Sequence, residues 1–202
     1  MNQIYALTDQ HFTPLNTLKA QINELLAGGV KIIQYRNKSQ NHDIALLKDI
    51  SQICKNSGAK FIINDDVRLA KMVDASGVHI GKDDDSLQKA RDILGYNAYI
   101  GVSCYNDLER AKDAVKNGAD YVAFGALFAS PTKPNASICS LDIIKEAKNN
   151  LTSKIAVIGG INSSNLNIVK DLEIDYIAIV SALYTSGSIT QNLAKLNTIL
   201  KG

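Results

Sequence analysis

Carboxylates follow two apolar segments of the chain, at the points where the apolar character ends. One segment ends in Asn64-Asp65-Asp66, and a later one ends in Gly81-Lys82-Asp83-Asp84-Asp85. If both segments are buried parallel strands that lie side by side, Asp65 and one aspartate of the second group meet over the same sheet edge. Carboxylates brought that close repel one another unless a cation lies between them. The pattern therefore predicts a divalent metal site.

Helix capping is the alternative explanation for these aspartates. A segment with helical character follows each acidic group, and an aspartate or serine at the start of a helix accepts hydrogen bonds from backbone N–H groups of the first turn. In this interpretation Asp65 or Asp66 caps one helix, and Asp85 or Ser86 caps the next. Both interpretations are compatible with the spacing.

A basic segment, Gln34-Tyr35-Arg36-Asn37-Lys38, follows another predicted strand. Because side chains alternate along a strand, we expect Gln34, Arg36 and Lys38 to point to one side, into the mouth of the site. An amide, a guanidinium and an ammonium group aimed at one point form a clamp for an oxyanion or a phosphate. A solvated basic turn is the competing interpretation, and the alternation favours the clamp.

Two further segments have the composition of anion-binding loops. The first, Ala129-Ser130-Pro131-Thr132-Lys133-Pro134-Asn135, places hydroxyls and a lysine between stiffening prolines, although a plain surface loop is also compatible with it. The second combines Gly159-Gly160 after one strand with Ser181 after the next. Backbone N–H groups in such loops often bind phosphate in barrels, and glycine permits close approach. Two anionic ligands, one of them with a divalent cation, suggest a transferase that acts on a pyrophosphate ester.

These side chains meet only if the strands are parallel neighbours, and the repeat pattern predicts that they are. Candidate strands lie at residues 3–7, 31–35, 60–63, 77–80, 99–103, 121–124, 155–158 and 176–180. Candidate helices alternate with them at residues 14–27, 42–57, 66–73, 86–94, 107–117, 141–148, 164–172 and 189–200. The strands are continuously apolar, as expected when both faces are buried. Eight near-equal units favour a single (βα)8 TIM-barrel domain over residues 1–202, with an open doubly wound sheet as the alternative.

The overall composition is that of an ordinary soluble globular protein. Apolar residues make up 46% of the chain and charged residues 21%, and the net charge is +2. This balance implies neither a nucleic-acid nor a membrane partner, and it leaves a homo-oligomer possible. No apolar run is long enough to span a membrane, and the N-terminus lacks the features of a signal peptide. Together with the cysteine pattern described next, these features predict a cytoplasmic protein, and the two predicted anion sites favour small-molecule substrates.

The cysteines and histidines do not form a metal or disulfide pattern. Cys54, Cys104 and Cys139 are odd in number and contain no closely spaced pair, which predicts reduced thiols. Cys104 follows a strand end, so a reactive thiol there is a hypothesis that the structure can test. His79 lies between two apolar residues inside a predicted strand, and we expect it to be a hydrogen-bonded barrel residue instead of a ligand.

Taken together, these motifs resemble the thiamine phosphate synthase family. The resemblance extends from Tyr5-Ala6-Leu7-Thr8-Asp9 to Ile177-Ala178-Ile179-Val180-Ser181-Ala182, in the right order over most of the chain. Its most specific segments are Gln34-Tyr35-Arg36-Asn37-Lys38, Asn64-Asp65-Asp66, Gly77-Val78-His79-Ile80-Gly81-Lys82-Asp83-Asp84, Ser130-Pro131-Thr132-Lys133 and Gly159-Gly160-Ile161. The family joins a hydroxymethylpyrimidine diphosphate to a thiazole phosphate and releases pyrophosphate.

The resemblance also implies a set of site residues. The residues for the pyrimidine diphosphate are Gln34, Arg36, Lys38, Asn64, Ser103 and Lys133, of which Arg36, Lys38 and Lys133 are the catalytic ones. The magnesium ligands are Asp65 and Asp84, since the aspartate three positions after Gly81 matches the family's ligand. The residues for the thiazole phosphate are Ser130, Thr132, Gly160, Val180 and Ser181.

The chain departs from the family pattern at two places. Ser130 stands where many members have threonine, and Cys104-Tyr105 stand where threonine and histidine are frequent. Relatives of the thiazole tautomerase type, which need no metal, often lack parts of the diphosphate clamp. Because the clamp is complete here, the synthase is the leading expectation. The tautomerase and a non-catalytic phosphate-binding barrel are the alternatives.

Overall fold

The strands of the protein close into a parallel barrel. The computed structural model describes residues 2–39, 41–81, 86–129 and 138–202. Each strand pairs with the next, and the eighth pairs with the first. The strands are β1 Gln3–Leu7, β2 Ile32–Tyr35, β3 Lys60–Asn64, β4 Gly77–Ile80, β5 Tyr99–Tyr105, β6 Tyr121–Gly125, β7 Lys154–Ile158 and β8 Tyr176–Ile179. The predicted (βα)8 barrel is confirmed, and the open sheet is excluded.

Helices surround the barrel at the predicted places. They are α1 Leu15–Ala27, α2 Ile44–Asn56, α3 Val67–Met72, α4 Leu87–Leu94, α5 Leu108–Lys116, α6 Leu141–Asn150, α7 Leu166–Lys170, α8 Ser181–Tyr184 and α9 Ile189–Lys201. The short α8 was not predicted, because one helical turn leaves no periodic pattern in the sequence. None of the helices in the described part of the chain combines the length and the apolar character that crossing a membrane requires.

The strands are continuously apolar because each lies between a filled barrel interior and a layer of helices. The outward-facing Ile33, Ile63 and Val122 are fully covered. Helix α2 shows the complementary pattern, since Leu47, Ile50 and Cys54 recur at helical spacing and are buried. This outer layer holds the strands in place, so their carboxyl ends form a fixed rim.

Tyrosine hydroxyls, and not only aliphatic groups, fill the inside of the barrel. The hydroxyls of Tyr99 and Tyr176 lie 2.8 Å apart near the amino ends of the strands. Tyr5 and Tyr121 pair in the same way at 2.8 Å further along the axis. Gly101 makes room for this packing, because a Cβ atom there would collide with the ring of Tyr121. The interior is therefore a polar column and not a purely aliphatic core.

Side-chain caps fix where most helices begin. A side-chain oxygen at the N-cap accepts a first-turn N–H at Asp43, Asp66, Ser86, Asp107, Ser140 and Ser188. The seventh helix, which was predicted to begin at residue 164, is an exception. Helix α7 begins after Asn165 without a side-chain cap, and Ser164 Oγ instead donates to Asn162 Oδ1 at 2.6 Å. Ser164 is therefore part of the turn before α7.

Candidate active site

Two adjacent aspartates at the end of β3 have separate tasks. The carboxylate of Asp66 accepts the Leu69 N–H at 2.8 Å and caps α3. Asp65 instead adopts a left-handed backbone conformation with φ of 65°. Its N–H donates to the carbonyl of His79 on β4 at 2.8 Å. Capping of α3 thus accounts for the Asp66 carboxylate. The hydrogen bond to His79 holds the backbone of Asp65 at the junction of β3 and β4.

The second acidic group lies outside the described residues. Asp84, the metal ligand implied by resemblance, falls within residues 82–85. The end of β4 is described, however, and Asp65 is hydrogen-bonded to it. Ser86 begins α4 as its N-cap and accepts the Lys89 N–H at 3.2 Å. In the described part of the chain, no group of three or more His, Cys, Asp or Glu residues is arranged to hold a metal ion.

The three residues of the predicted clamp lie in different surroundings. Gln34 is buried, and its Nε2 donates to the Tyr5 hydroxyl at 2.7 Å. The Arg36 guanidinium is half-buried and pairs with Asp9 at 3.6 Å, at the end of β1. Lys38 is exposed. Because β2 ends at Tyr35, the alternation of side chains along a strand applies to Gln34 but not to Arg36 and Lys38. That these three side chains bind one ligand together therefore stays a prediction.

A chain of hydrogen bonds crosses the barrel below the rim. Gln34 donates to Tyr5, the Tyr5 and Tyr121 hydroxyls lie 2.8 Å apart, and Tyr121 contacts His79 Nδ1 at 3.0 Å. His79 Nε2 then contacts Ser103 Oγ at 2.8 Å. These contacts are compatible with a relay in which Gln34 donates to Tyr5, Tyr5 to Tyr121 and Tyr121 to His79 Nδ1. In that relay Nε2 donates to Ser103, and the Ser103 hydroxyl can donate to a partner at the rim.

The sequence patterns did not identify Tyr5 and Tyr121 as members of this hydrogen-bonded series. Burial raises the pKa of Tyr5 and Tyr121 above the ordinary value, so both hydroxyls stay protonated and can donate. The usable signal was a hydroxyl-bearing side chain at an inward position of an otherwise apolar strand. His79 is the hydrogen-bonded barrel residue that the sequence predicts.

Asn64 is the last residue of β3, and its Cα pairs in register with His79. It is half-buried and therefore accessible from the rim. The rim thus carries Asn64 and Asp65 at the end of β3, Arg36 after β2 and Ser103 on β5. Amide, carboxylate, guanidinium and hydroxyl groups together suit an anionic ligand with a bound cation.

The ends of β6 and β7 form a second, glycine-dependent part of the rim. Gly159 and Gly160 have φ values of 111° and 63°, which favour glycine. A Cβ atom on Gly159 would collide with Ala126, and one on Gly160 would lie 2.8 Å from the Phe128 carbonyl. The Phe128 N–H donates to the Gly159 carbonyl at 3.1 Å. The segment that leads into residues 130–137 is therefore fastened to the glycines.

The predicted residues of the β6 loop and of β8 differ in how far the structure describes them. Ser130, Thr132 and Lys133 lie within residues 130–137, outside the described part. The prediction that the eighth strand extends to Val180 is wrong, because β8 ends at Ile179 and a helical turn begins at Ser181. Val180 packs against the inner cluster of the barrel as a partly buried residue.

Cys104 has the properties of a core residue and not those of a reactive thiol. It is fully buried, its Sγ lies 3.5 Å from the Val102 carbonyl, and burial raises its pKa to about 12. Burial also raises the pKa of Cys54 to about 12 and that of Cys139 to about 11. The thiolate is the nucleophile, so all three thiols should be unreactive near neutral pH.

We expect the folded protein to resist iodoacetamide at pH 8, whereas the urea-unfolded chain should take up three equivalents, one for each cysteine. A pKa raised by folding contributes stability below the unfolded value, and this contribution is lost as the pH rises through the folded value. The stability provided by the protonated thiols should therefore decline from about pH 9 toward pH 12. Mass spectrometry of the labelled protein measures the first effect, and urea melts across this range measure the second. Rapid labelling of Cys104 at pH 8 would contradict the assignment.

A closed parallel barrel with polar groups at the carboxyl ends of its strands is the architecture of (βα)8 enzymes, whose active sites lie at that face. The chain belongs to the thiamine monophosphate synthase family, whose model (TMP-TENI) matches residues 4–183. This finding confirms the resemblance that the motifs indicate.

Individual relatives give the same result. The thiamine-phosphate synthase of Nitrosococcus oceani is 44% identical over 188 residues, which cover 92% of this chain and 87% of that protein. The thiamine-phosphate synthase of Thiobacillus denitrificans is 39% identical over 201 residues, with 97% and 93% covered. The structure of thiamine phosphate pyrophosphorylase from Pyrococcus furiosus superposes with a TM-score of 0.85 at 30% identity, over 98% of this chain and 95% of that one. The predicted class, a transferase of this type, is confirmed, and the tautomerase alternative is not favoured.

Proposed function

We propose that the protein joins hydroxymethylpyrimidine diphosphate to hydroxyethylthiazole phosphate in a Mg²⁺-dependent reaction that yields thiamine monophosphate and pyrophosphate. The observation that carries the proposal is the rim, where Asn64 and Asp65 at the end of β3 join Arg36 after β2 and Ser103 on β5. Family membership supplies the substrates, and the chemistry of these side chains suits a diphosphate.

The reaction requires stabilisation of the departing diphosphate more than it requires a base. In a dissociative reaction the bond to the diphosphate breaks before the new C–N bond forms, and negative charge builds on the leaving group. Arg36, Lys38 and Lys133 would hold that charge through charge-assisted hydrogen bonds. The electron-rich pyrimidine would spread the positive charge that remains. No general base is needed.

The fit of a magnesium ion can be judged from Asp65. Its backbone is held at the β3–β4 junction by the hydrogen bond to His79, and the aspartates that include Asp84 begin two residues after the described Gly81. Oxygen ligands of this kind are those that Mg²⁺ prefers, so the residues fit the ion. Asp65 and Asp84 would hold Mg²⁺, which would neutralise charge on the diphosphate.

The remaining residues would orient the two substrates. Ser103 would donate to the pyrimidine diphosphate when His79 Nε2 donates to Ser103, and Gln34 and Asn64 would complete this half of the site. The thiazole phosphate would bind on the opposite part of the rim through Ser130, Thr132, Gly160, Val180 and Ser181. Holding both substrates in line replaces a bimolecular encounter with positioning.

Incubating the purified protein with both substrates and Mg²⁺ tests the proposal. We expect pyrophosphate and thiamine monophosphate in equal amounts, and neither product when one substrate is omitted or Mg²⁺ is removed with EDTA. An enzyme-coupled pyrophosphate assay and chromatography measure the two products. Isomerisation of a thiazole phosphate without pyrophosphate release would establish the tautomerase instead. Ligand binding by calorimetry without turnover would establish a non-catalytic barrel.

A further inference from the structure

The end of β5 departs from regular strand geometry next to the site. Ser103 pairs with Ala123 on β6, but Tyr105 pairs with Phe124, so Cys104 is an extra residue in a bulge. Tyr105 completes the distortion with φ of 56°. Bulges near active sites re-aim side chains. Here the bulge follows the residue whose Oγ contacts His79 inside the barrel.

The ladder between β4 and β5 also stops at this point. Its last register pair is Ile80 with Val102, so Gly81 and Ser103 are the first residues beyond it. Both matter for the proposed function. Ser103 faces the proposed diphosphate, and Gly81 leads into residues 82–85, which contain the proposed magnesium ligand Asp84.

Arg110 on α5 joins the two strand ends beyond the ladder. Its Nε donates to the Ser103 carbonyl at 2.8 Å, and its Nη2 donates to the Gly81 carbonyl at 3.1 Å. The backbone of the same residue is also held, because its N–H donates to the N-cap carboxylate of Asp107 at 2.9 Å. A planar guanidinium with fixed donors can bind two carbonyls at a set separation, which a lysine ammonium cannot reproduce.

We propose that Arg110 is a positioning residue for the diphosphate and magnesium half of the site. It acts through two backbone carbonyls: one orients Ser103, and the other fixes the starting point of the acidic segment after β4. This inference rests on the proposed function. Arg110 needs no contact with either substrate, and its effect should be confined to the ligands on the β4–β5 side of the rim.

Arg110→Gln is therefore expected to raise both the KM for the pyrimidine diphosphate and the Mg²⁺ concentration for half-maximal rate. Loss of a supporting residue behind a metal site usually costs about 10- to 100-fold in affinity or activity. The KM for the thiazole phosphate should stay within about twofold of wild type, because effects at separate sites are largely independent. Arg110→Lys keeps the charge but loses the fork, and it should lie between wild type and Arg110→Gln.

Arg91 provides a matched control at the other end of the barrel. Its guanidinium also bridges backbone carbonyls, donating to Tyr96 at 3.0 Å and to Gly118 at 2.8 Å, and it pairs with Asp120 at 2.6 Å. These contacts lie near the amino ends of β5 and β6. Arg91→Gln should lower the Tm. The molecules that remain folded should show the same dependence of rate on Mg²⁺ concentration as wild type.

Steady-state kinetics of the four proteins decide the question. Mg²⁺ and each substrate are varied in turn, and thermal melts give the folded fraction of each protein. A Mg²⁺ and diphosphate effect in Arg110→Gln that Arg91→Gln lacks would support the proposal. If the wild type is active and the two glutamine variants depend on Mg²⁺ and on each substrate in the same way, the positioning role alone would be overturned. Equal changes in both substrate KM values in Arg110→Gln would also overturn it. An inactive wild type would overturn the proposed function together with this inference.

Discussion

Asp65→Asn should lower kcat by about 100- to 1,000-fold, the usual cost of losing an electrostatic contact made to charge that develops in the transition state. The fold should tolerate the change. Asparagine and aspartate are the non-glycine residues that best adopt the left-handed conformation found here, with φ of 65°. The backbone N–H that binds the His79 carbonyl is also kept. Turnover at saturating substrate and Mg²⁺, together with a urea melt, measures both effects.

The neighbouring aspartate gives a matched control for this prediction. Asp66 caps α3, and asparagine caps as well as aspartate, so Asp66→Asn should leave stability and turnover close to wild type. Asp66→Ala removes the acceptor of the Leu69 N–H and should cost about 1 kcal/mol of unfolding free energy. If Asp65→Asn and Asp66→Asn had the same turnover, Asp65 would not be a magnesium ligand.

The fold was predictable from the sequence because its determinants are local. Each strand is an apolar run, most helices have a capping residue, and the alternation of the two requires parallel strands. Strand ends were less predictable. The predicted end of the fifth strand at Ser103 missed the bulge, since one inserted residue changes the register against β6 without changing the apolar pattern.

The candidate site was predictable to the extent that its residues sit at strand ends. Asp65 and Asn64 were found because an apolar run stops abruptly in front of them. The chain of hydrogen bonds was not found, because it joins residues that are far apart in sequence, such as Tyr5 and Tyr121 at a separation of 116 positions. Arg110 was missed for a different reason. On sequence alone it is one of many charged residues on an amphipathic helix, and only the paths of β4 and β5 give its donors their two carbonyls.

Arg36→Gln should lower kcat/KM for the pyrimidine diphosphate by about 100- to 1,000-fold, because a charged donor to the leaving group is lost. The competing explanation is that Arg36 is structural, through its ion pair with Asp9 at 3.6 Å. Both side chains are about one-fifth exposed, at 22% and 19%. Ion pairs that water reaches are worth less than about 1 kcal/mol, which is about fivefold in an equilibrium constant. The pair alone is therefore too weak to produce the expected loss.

Asp9→Asn separates the two explanations. The asparagine oxygen can still accept the His11 N–H, which now donates to Asp9 Oδ1 at 2.9 Å, so the turn after β1 is kept while the charge is removed. A structural ion pair predicts similar losses of stability in both variants and similar kinetics. A diphosphate clamp predicts a large kinetic loss in Arg36→Gln only. Asp9→Asn should then bind the diphosphate as well as wild type or slightly better, because the substrate no longer competes with a carboxylate for the guanidinium. Kinetics and urea melts of the two single variants and the double variant measure this difference, and matching kinetic losses in the single variants would remove Arg36 from the clamp.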